Sequence, residues 1–167
     1  MSICFSVNAQ VDDYQQDIIN YLSINGTYEQ YSVAYDEMFT VLKKQFQTAN
    51  VPDSKWVELQ KDKTESLKEV VRFLSFAYRK HFTQDEINTM YEVYNSDAAK
   101  EMMATQGMLN RNGNAEITAF FESDLGKKIE SKRPELTEDI STISAHWSRE
   151  LFAAKMSNLV KSGYSPR

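Results

Sequence analysis

The amino-acid sequence predicts an all-α fold, a single domain of about seven or eight helices packed as antiparallel hairpins. Apolar residues recur at spacings of three and four along most of the 167 residues, which is the period of an amphipathic helix. No stretch shows the sustained alternation of a half-buried strand, so we expect essentially no sheet. A short phrase that occurs twice indicates that the fold contains a duplicated helix–corner–helix unit.

Two helices are predicted in the N-terminal part of the chain. The first is expected over residues 10–25, because Gly26 is a favourable C-terminal stop. Thr27 and Gln30 have the spacing of a capping box, which would open a strongly amphipathic second helix. That helix is expected to continue as far as Pro52, which cannot extend it.

The next region predicts more helix and then the start of the duplicated unit. Residues 53–81 contain no helix breaker, so they form either one helix or two helices joined near residues 62–64. Thr83 and Glu86 then have the spacing of a second capping box. This box would open the first copy of the unit.

The duplicated phrase is YNSDAAK at residues 94–100 and FESDLGK at residues 121–127. We take residues 82–110 and 114–138 as the two copies. In each copy the serine can cap the following helix, and the aspartate after it suits the positive end of the helix dipole. The residues predicted to form these structural corners are Ser96, Asp97, Ala99, Ser123, Asp124 and Gly126.

Three further signals organise the C-terminal half. Gly126 lies inside a predicted helix, where glycine is costly, so we expect another helix to approach it closely. Residues 110–114 are the clearest loop in the chain and separate the two copies. Pro134 is expected to divide the second copy from a last long helix, which stops at Gly163.

The duplicated phrase, preceded by Phe82-Thr83 and Glu86-Ile87, resembles the bacterial family called domain of unknown function 2059. The resemblance is clearest over residues 78–109. The family tends to have proline where this chain has Asp97 and Asp124, and glycine where it has Ala99. Proline and aspartate both suit a first helical turn. The resemblance implies an all-helical, usually exported protein, and it supplies no catalytic residues.

The N-terminus predicts export to the periplasm or secretion. It is apolar at Ile3 to Val7, and Val7-Asn8-Ala9 has the form of a signal-peptidase site. We expect residues 1–9 to be the remnant of a signal peptide and residues 10–163 to be the helical domain; a frayed cytosolic terminus is the alternative. Cys4, the single cysteine, would leave with the signal. No segment approaches the roughly 18 apolar residues that span a membrane.

Composition and motifs exclude several functions. A net charge of −5 and a pI of about 5.1 disfavour nucleic acid, whose binding depends on Lys and Arg contacts to phosphate. His81 and His146 have no partner at metal-motif spacing, so we expect no metal and no cofactor. The chain has no Gly-x-Ser-x-Gly elbow and no phosphate-binding glycine loop. We therefore assign no catalytic residues and regard an enzyme as the less favoured class.

The nine tyrosines are the most unusual feature of the composition. Tyrosine is favoured at interfaces, and methionine can form adaptable binding surfaces. The candidate binding groove is accordingly formed by Tyr21, Tyr28, Tyr31, Tyr35, Met102 and Met103. An aromatic core whose hydroxyl groups reach the surface is the competing interpretation.

The leading functional hypothesis is a non-enzymatic, exported module of the bacterial cell envelope that binds a protein or another envelope component. The first alternative is a carrier that holds an apolar small molecule between helices. The second, which we place last, is a hydrolase with a site that no motif reveals.

Overall fold

The computed structural model describes residues 11–105 and 111–166, and in these ranges the chain forms helices and no strand. The predicted all-α class is therefore confirmed. Cys4, the Val7-Asn8-Ala9 motif and Asn110 lie outside the described residues. The helices are α1 (Asp13–Ile24), α2 (Thr27–Gln45), α3 (Asp53–Leu59), α4 (Lys63–His81), α5 (Gln84–Asn95), α6 (Asp97–Ala104), α7 (Arg111–Glu122) and α8 (Asp124–Lys161).

The core is arranged around α4, which packs against α1, α2 and α8. Its buried apolar residues follow the three-and-four spacing of an amphipathic helix. Burial of each such aliphatic side chain stabilises the fold by about 1.5–3 kcal/mol. They join one cluster with residues of α1, α2, α3, α5, α7 and α8. Its most deeply buried members are Ile18, Leu22, Tyr35, Phe39, Leu42, Phe46, Leu67, Val70, Val71, Leu74, Ile87, Met90 and Leu159.

Two buried hydrogen bonds attach neighbouring helices to α4 through small serine side chains. The side-chain amide nitrogen of Gln15 (Nε2), on α1, donates to Ser75 Oγ over 3.0 Å. The Trp147 indole nitrogen of α8 donates to Ser66 Oγ over 3.2 Å. Each bond gives a buried side-chain N–H group its acceptor, so it favours one relative position of the two helices.

Both repeated serines cap helices, as the duplicated phrase predicts. Ser96 Oγ accepts the Ala99 backbone N–H over 3.2 Å, and Ser123 Oγ accepts that of Gly126 over 3.1 Å. The aspartates at 97 and 124 occupy the first turns of α6 and α8. The capping box of Thr83 at the start of α5 is also present.

The close approach at Gly126 involves the end of the preceding helix. A Cβ atom here would lie 2.4 Å from the Phe120 carbonyl oxygen and 2.5 Å from that of Phe121. Real Cβ contacts are essentially never this short, so the second corner requires glycine. The equivalent residue of the first copy, Ala99, is buried but keeps its methyl group.

Pro134 does not divide the second copy from the last helix, contrary to the prediction. It lies inside α8, an unbroken helix with a total length of 38 residues. Proline removes one backbone hydrogen bond, but Pro134 is exposed, so water can reach the carbonyl group that loses its partner. Buried residues on the C-terminal side, Leu136 and Trp147, hold the helix against the core.

Other boundaries also differ from the sequence-based expectation. The residue that caps α2 is Gly26, at φ 90°, with no side-chain capping bond, so the predicted box of Thr27 and Gln30 is wrong. The helix ends at Gln45, before Pro52. Residues 53–81 form two helices, α3 and α4, separated at residues 60–62.

The predicted loop at residues 110–114 is wrong where the structure describes it, because residues 111–114 form the first turn of α7. Gly113 and Ile117 lie one turn apart and both are buried. Packing of this face keeps the turn helical despite the low helix propensity of asparagine and glycine.

We predict that Ser96→Ala and Ser123→Ala each destabilise the protein by about 1 kcal/mol, because each leaves a helix-terminal N–H without its acceptor. For a domain of this size the melting temperature should fall by about 2–4 °C per substitution. Ser→Asp at either position is the matched control and should retain most of the stability, since aspartate caps as well. Thermal melts followed by circular dichroism test this; unchanged melting of both alanine variants would contradict the corner geometry.

We predict that Gly126→Ala destabilises the protein, although glycine to alanine inside a helix normally stabilises by about 1 kcal/mol. The added methyl group must displace the Phe120 and Phe121 carbonyl groups, and such overpacking costs about 1–3 kcal/mol. Gly126→Leu should be worse still. Urea unfolding measures the sign of the change, and a more stable Gly126→Ala protein would refute the close approach.

Candidate functional site

The candidate groove residues chosen from the sequence do not come together. The structure buries Tyr21, Tyr31 and Tyr35 in the main core, so these three side chains cannot line an open groove. Met102 packs in a separate small cluster with residues of α6 and α7. Of the set, Met103 is exposed, while Tyr28 is half-buried at the edge of the main core.

The buried tyrosines instead join helices, through edge-on contacts between rings and through hydrogen bonds of hydroxyl groups. Tyr21 meets the Tyr78 and Tyr94 rings edge-on, at centroid distances of 5.8 and 5.5 Å. The Tyr31 hydroxyl group is hydrogen-bonded to Ser144. This arrangement matches the competing interpretation, an aromatic core with polar tips.

A different surface feature, the groove between α4 and α8, is the candidate site. It has a volume of about 1110 Å³ and opens to solvent. Buried Trp147 and Ser66 lie at its floor. On its α4 wall the Phe73 and Phe76 side chains are 39% and 53% exposed. The remaining lining residues are Asp62, Glu65, Lys68, Glu69, Arg72, Thr142, Ile143, His146, Glu150, Leu151 and Ala154.

Polar cross-links tie the two walls together at both ends of the groove. At one end Lys155 of α8 pairs with Asp62, just before α4. At the other end Lys80 and His81 of α4 pair with Asp139 of α8, at 2.9 and 2.7 Å. The pairing of early residues of α4 with late residues of α8 shows that the two helices run antiparallel.

The first cross-link, between Lys155 and Asp62, is part of a hydrogen-bond network at its end of the groove. Lys155 Nζ is buried and also donates to the Leu59 carbonyl oxygen over 2.7 Å, while the Tyr35 hydroxyl group donates to Asp62 over 2.8 Å. Burial opposes ionisation of Asp62, but the hydrogen bonds from Lys155 and Tyr35 outweigh it and lower the pKa of this carboxyl group. Burial, followed by the nearby carboxylate, raises the pKa of Tyr35.

The second cross-link accounts for one of the two histidines. The His81 side chain is buried, with Nε2 2.7 Å from Asp139 and Nδ1 3.6 Å from Glu135. Hydrogen bonds from Lys80 and then His81 lower the pKa of Asp139. Because both ring nitrogens face carboxylates, the imidazole is committed to joining α4 and α8. The other histidine, His146, is exposed on the groove wall.

The charges along the groove do not balance. Glu65 pairs with Lys68 at 2.8 Å, and the Arg72 guanidinium lies 5.6 Å from the centre of the Phe73 ring. Glu69 and Glu150, one on each wall, are exposed and form no ion pair with any described residue. The groove therefore presents aromatic rings together with two carboxylates that have no ion-pair partner and one guanidinium, that of Arg72, which likewise forms no ion pair with a described residue.

Other candidate sites are weaker. Within residues 11–105 and 111–166, no group of three or more His, Cys, Asp or Glu side chains could hold a metal ion. The basic residues at 128, 132 and 133 pair with Glu86, Glu135 and Glu130 and so do not form an anion site. None of the described helices combines the length and the apolar character that crossing a membrane requires.

The fold and the groove define an all-helical protein with a surface cleft and no recognisable catalytic centre among the described residues. Comparison with protein families matches residues 68–118 and 114–154 to the family described as "Uncharacterized protein conserved in bacteria (DUF2059)". The chain belongs to this bacterial family, as the resemblance of the duplicated phrase predicted. The matched residues include both serine corners and most of both groove walls. Comparisons with curated proteins and with solved structures give no match.

We predict that Asp62→Asn destabilises the protein at pH 7 by about 1–3 kcal/mol, because it leaves the buried Lys155 ammonium without its carboxylate. Lys155→Met should cost less, since the Asp62 side chain is 54% exposed and can be hydrated. Urea unfolding measures both effects. Asp36→Asn is the control: Asp36 pairs with Lys63 at the surface, where ion pairs contribute at most about 1 kcal/mol.

The same network sets an acid dependence. A carboxyl group whose pKa is lowered in the folded state contributes stability above its unfolded pKa, about 3.9 for aspartate, and that stability is lost as the pH falls further. The free energy of unfolding of Asp62→Asn should therefore fall less than that of the wild type below about pH 4. Acid unfolding curves of the two proteins test this, and parallel curves would show that Asp62 does not titrate in this way.

Proposed function

We propose that this protein is an exported helical module of the bacterial cell envelope that binds a partner protein in the groove between α4 and α8. The observation that carries the proposal is the exposure of two phenylalanine side chains, Phe73 and Phe76, on one wall of a groove floored by a buried tryptophan. Aromatic rings left in water beside a cleft are typical of interaction sites.

The physical basis is the free energy of covering apolar surface. Each Å² of apolar surface removed from water contributes about 25 cal/mol, and phenylalanine in a pocket is a typical anchor of binding energy. Two clusters of polar cross-links hold the groove walls at fixed positions. The walls are therefore preorganised, and binding costs them little conformational entropy.

The shape of the groove favours a protein segment over the alternatives. Small-molecule sites usually occupy about 300–1,000 Å³ and enclose most of the ligand, whereas this groove, at about 1110 Å³, is slightly larger and opens to solvent. For a hydrolase, a serine nucleophile needs a base within hydrogen-bond reach. No serine of the described residues is hydrogen-bonded to a histidine, and His81 is held by carboxylates.

The residues that precede the first helix support export. Val7-Asn8-Ala9 precedes Gln10, and α1 begins at Asp13 with Asp12 as its cap. Cleavage after Ala9 would therefore leave every described helix and its capping bond intact.

We predict that a photoreactive phenylalanine analogue at position 76 captures a partner protein in bacterial cells that express the gene with its own upstream sequence. The same analogue at position 121 is the matched control, because Phe121 is 46% exposed but lies on α7, outside the groove. Adducts should form from position 76 alone, and the envelope fraction should contain protein that begins at Gln10.

Several outcomes would contradict the proposal. Protein with an intact Met1 confined to the cytosol would refute export, and equal or absent adducts at both positions would refute the groove as a binding site. Native mass spectrometry provides a further test: a small molecule retained by the wild type and lost from Phe76→Ser would favour the carrier alternative.

A further inference from the structure

Glu69 and Glu150 add a charge requirement to the proposed binding site. The cross-links at the two ends of the groove fix the antiparallel register of α4 and α8. In that register the two carboxylates lie on opposite walls within about one helical turn of each other along the groove. Neither has a cationic partner among the described residues. A cation placed between them would meet two carboxylates that have no ion-pair partner, while the Arg72 guanidinium lies beside the Phe73 ring and leaves the three unpaired groups with a net charge of −1.

Apolar side chains continue the surface on both sides of these acids. Phe73 and Phe76 lie on the α4 wall, and Ile143, Leu151 and Ala154 lie on the α8 wall. From Glu65 to Phe76 the wall extends over three helical turns, or about 16 Å. An occupant must therefore present several apolar groups and at least one cation over a comparable length.

The backbone of the groove selects the conformation of that occupant. An extended peptide gains most of its affinity from main-chain hydrogen bonds to a sheet edge, and the described residues contain no strand. Both walls are helices whose backbone groups are paired internally. A helical occupant satisfies its own backbone and places apolar residues at spacings of three and four on one face.

We infer that the groove binds a helical segment of a partner protein that carries an apolar stripe and a Lys or Arg side chain, with the cation held between Glu69 and Glu150. This inference rests on the proposed function and names the chemistry of its partner. The apolar stripe covers the Phe73 and Phe76 rings, and the cation neutralises the acidic pair. Electrostatic complementarity of this kind gives selectivity among helical segments.

The test uses three synthetic 16-residue peptides labelled for fluorescence anisotropy. The first has leucine at helical spacings of three and four with lysine at the polar positions. The second replaces lysine with glutamate, and the third has the composition of the first in a scrambled order. The wild-type protein should bind the first peptide and not the other two. Binding should weaken as the NaCl concentration rises from about 50 to about 500 mM, because partly exposed charges are screened.

Two pairs of protein variants separate local recognition from general attraction to an acidic protein. Glu69→Gln with Glu150→Gln should weaken binding of the lysine peptide by up to about tenfold, since two partly exposed charge pairs are lost. Glu37→Gln with Glu116→Gln removes the same net charge from exposed acids outside the groove and should leave the affinity unchanged. Circular dichroism confirms that each variant is folded.

The outcomes distinguish this inference from the proposal on which it rests. If the lysine and glutamate peptides bind equally and Phe76→Ser abolishes both, the groove is a helix-binding site without charge selectivity, and only the inference is refuted. Equal weakening by the two double variants also refutes it. If none of the peptides binds, the inference falls; photo-crosslinking from position 76 then shows whether the groove has a protein partner at all.

Discussion

The packing of α8 along α4 is the contact on which the rest of the architecture depends. By its length of 38 residues, α8 extends about 57 Å, roughly twice the length of α4. Its middle closes one side of the core through Trp147, its N-terminal part supports α7, and its C-terminal part buries Leu159. The same packing creates the groove, because residues of α4 and α8 on either side of their contact line it. The cross-links at Asp139 and Lys155 then fix the spacing of the walls.

The two copies of the duplicated unit serve different purposes in the fold. In the first copy the corner at Ser96 leads into α6, which has eight residues and packs on α7 in a small cluster of its own. In the second copy the corner at Ser123 leads into α8, which crosses the whole core. The requirement for glycine reflects this difference, since Gly126 meets the end of α7 while Ala99 has room for a methyl group. The local signal is shared, and the tertiary role of each corner is set by the helix that it opens.

Local signals in the sequence predict the class of fold, the family and the helix caps at Thr83, Ser96 and Ser123. The caps depend on residues within one turn of each other, and the fold class and family on patterns along the chain, so a linear sequence contains the information. The exceptions arise where packing outweighs propensity. The helical turn at residues 111–114 is kept by burial of Gly113 and Ile117, and the helix around Pro134 by contacts on its C-terminal side.

The site is harder to predict because the groove forms between two helices, and the sequence of each helix does not show where the other one lies. Tyrosine content points to α1 and α2, but Tyr21, Tyr31 and Tyr35 are core residues, and the hydroxyl groups of Tyr31 and Tyr35 are hydrogen-bonded to Ser144 and Asp62. A weaker signal is present in α4: Phe73 and Phe76 lie off the stripe of Leu67, Val70 and Leu74, so one helix carries apolar residues on two faces. That pattern shows that a second surface exists, but only the position of α8 shows that it is a cleft.

Pro134 gives α8 a mechanical division that its unbroken helical course conceals. A proline leaves the helix one amide short, and bending there costs less than anywhere in a fully bonded helix. The segment before it belongs to the corner with α7, and the segment after it forms the groove wall. The cross-links at Asp139 and Lys155 keep the second segment seated on α4, and Gly126 keeps the first segment close to the end of α7. A residue that weakens the helix thus separates two parts of α8 that are held by different contacts, one by the corner and the other by α4.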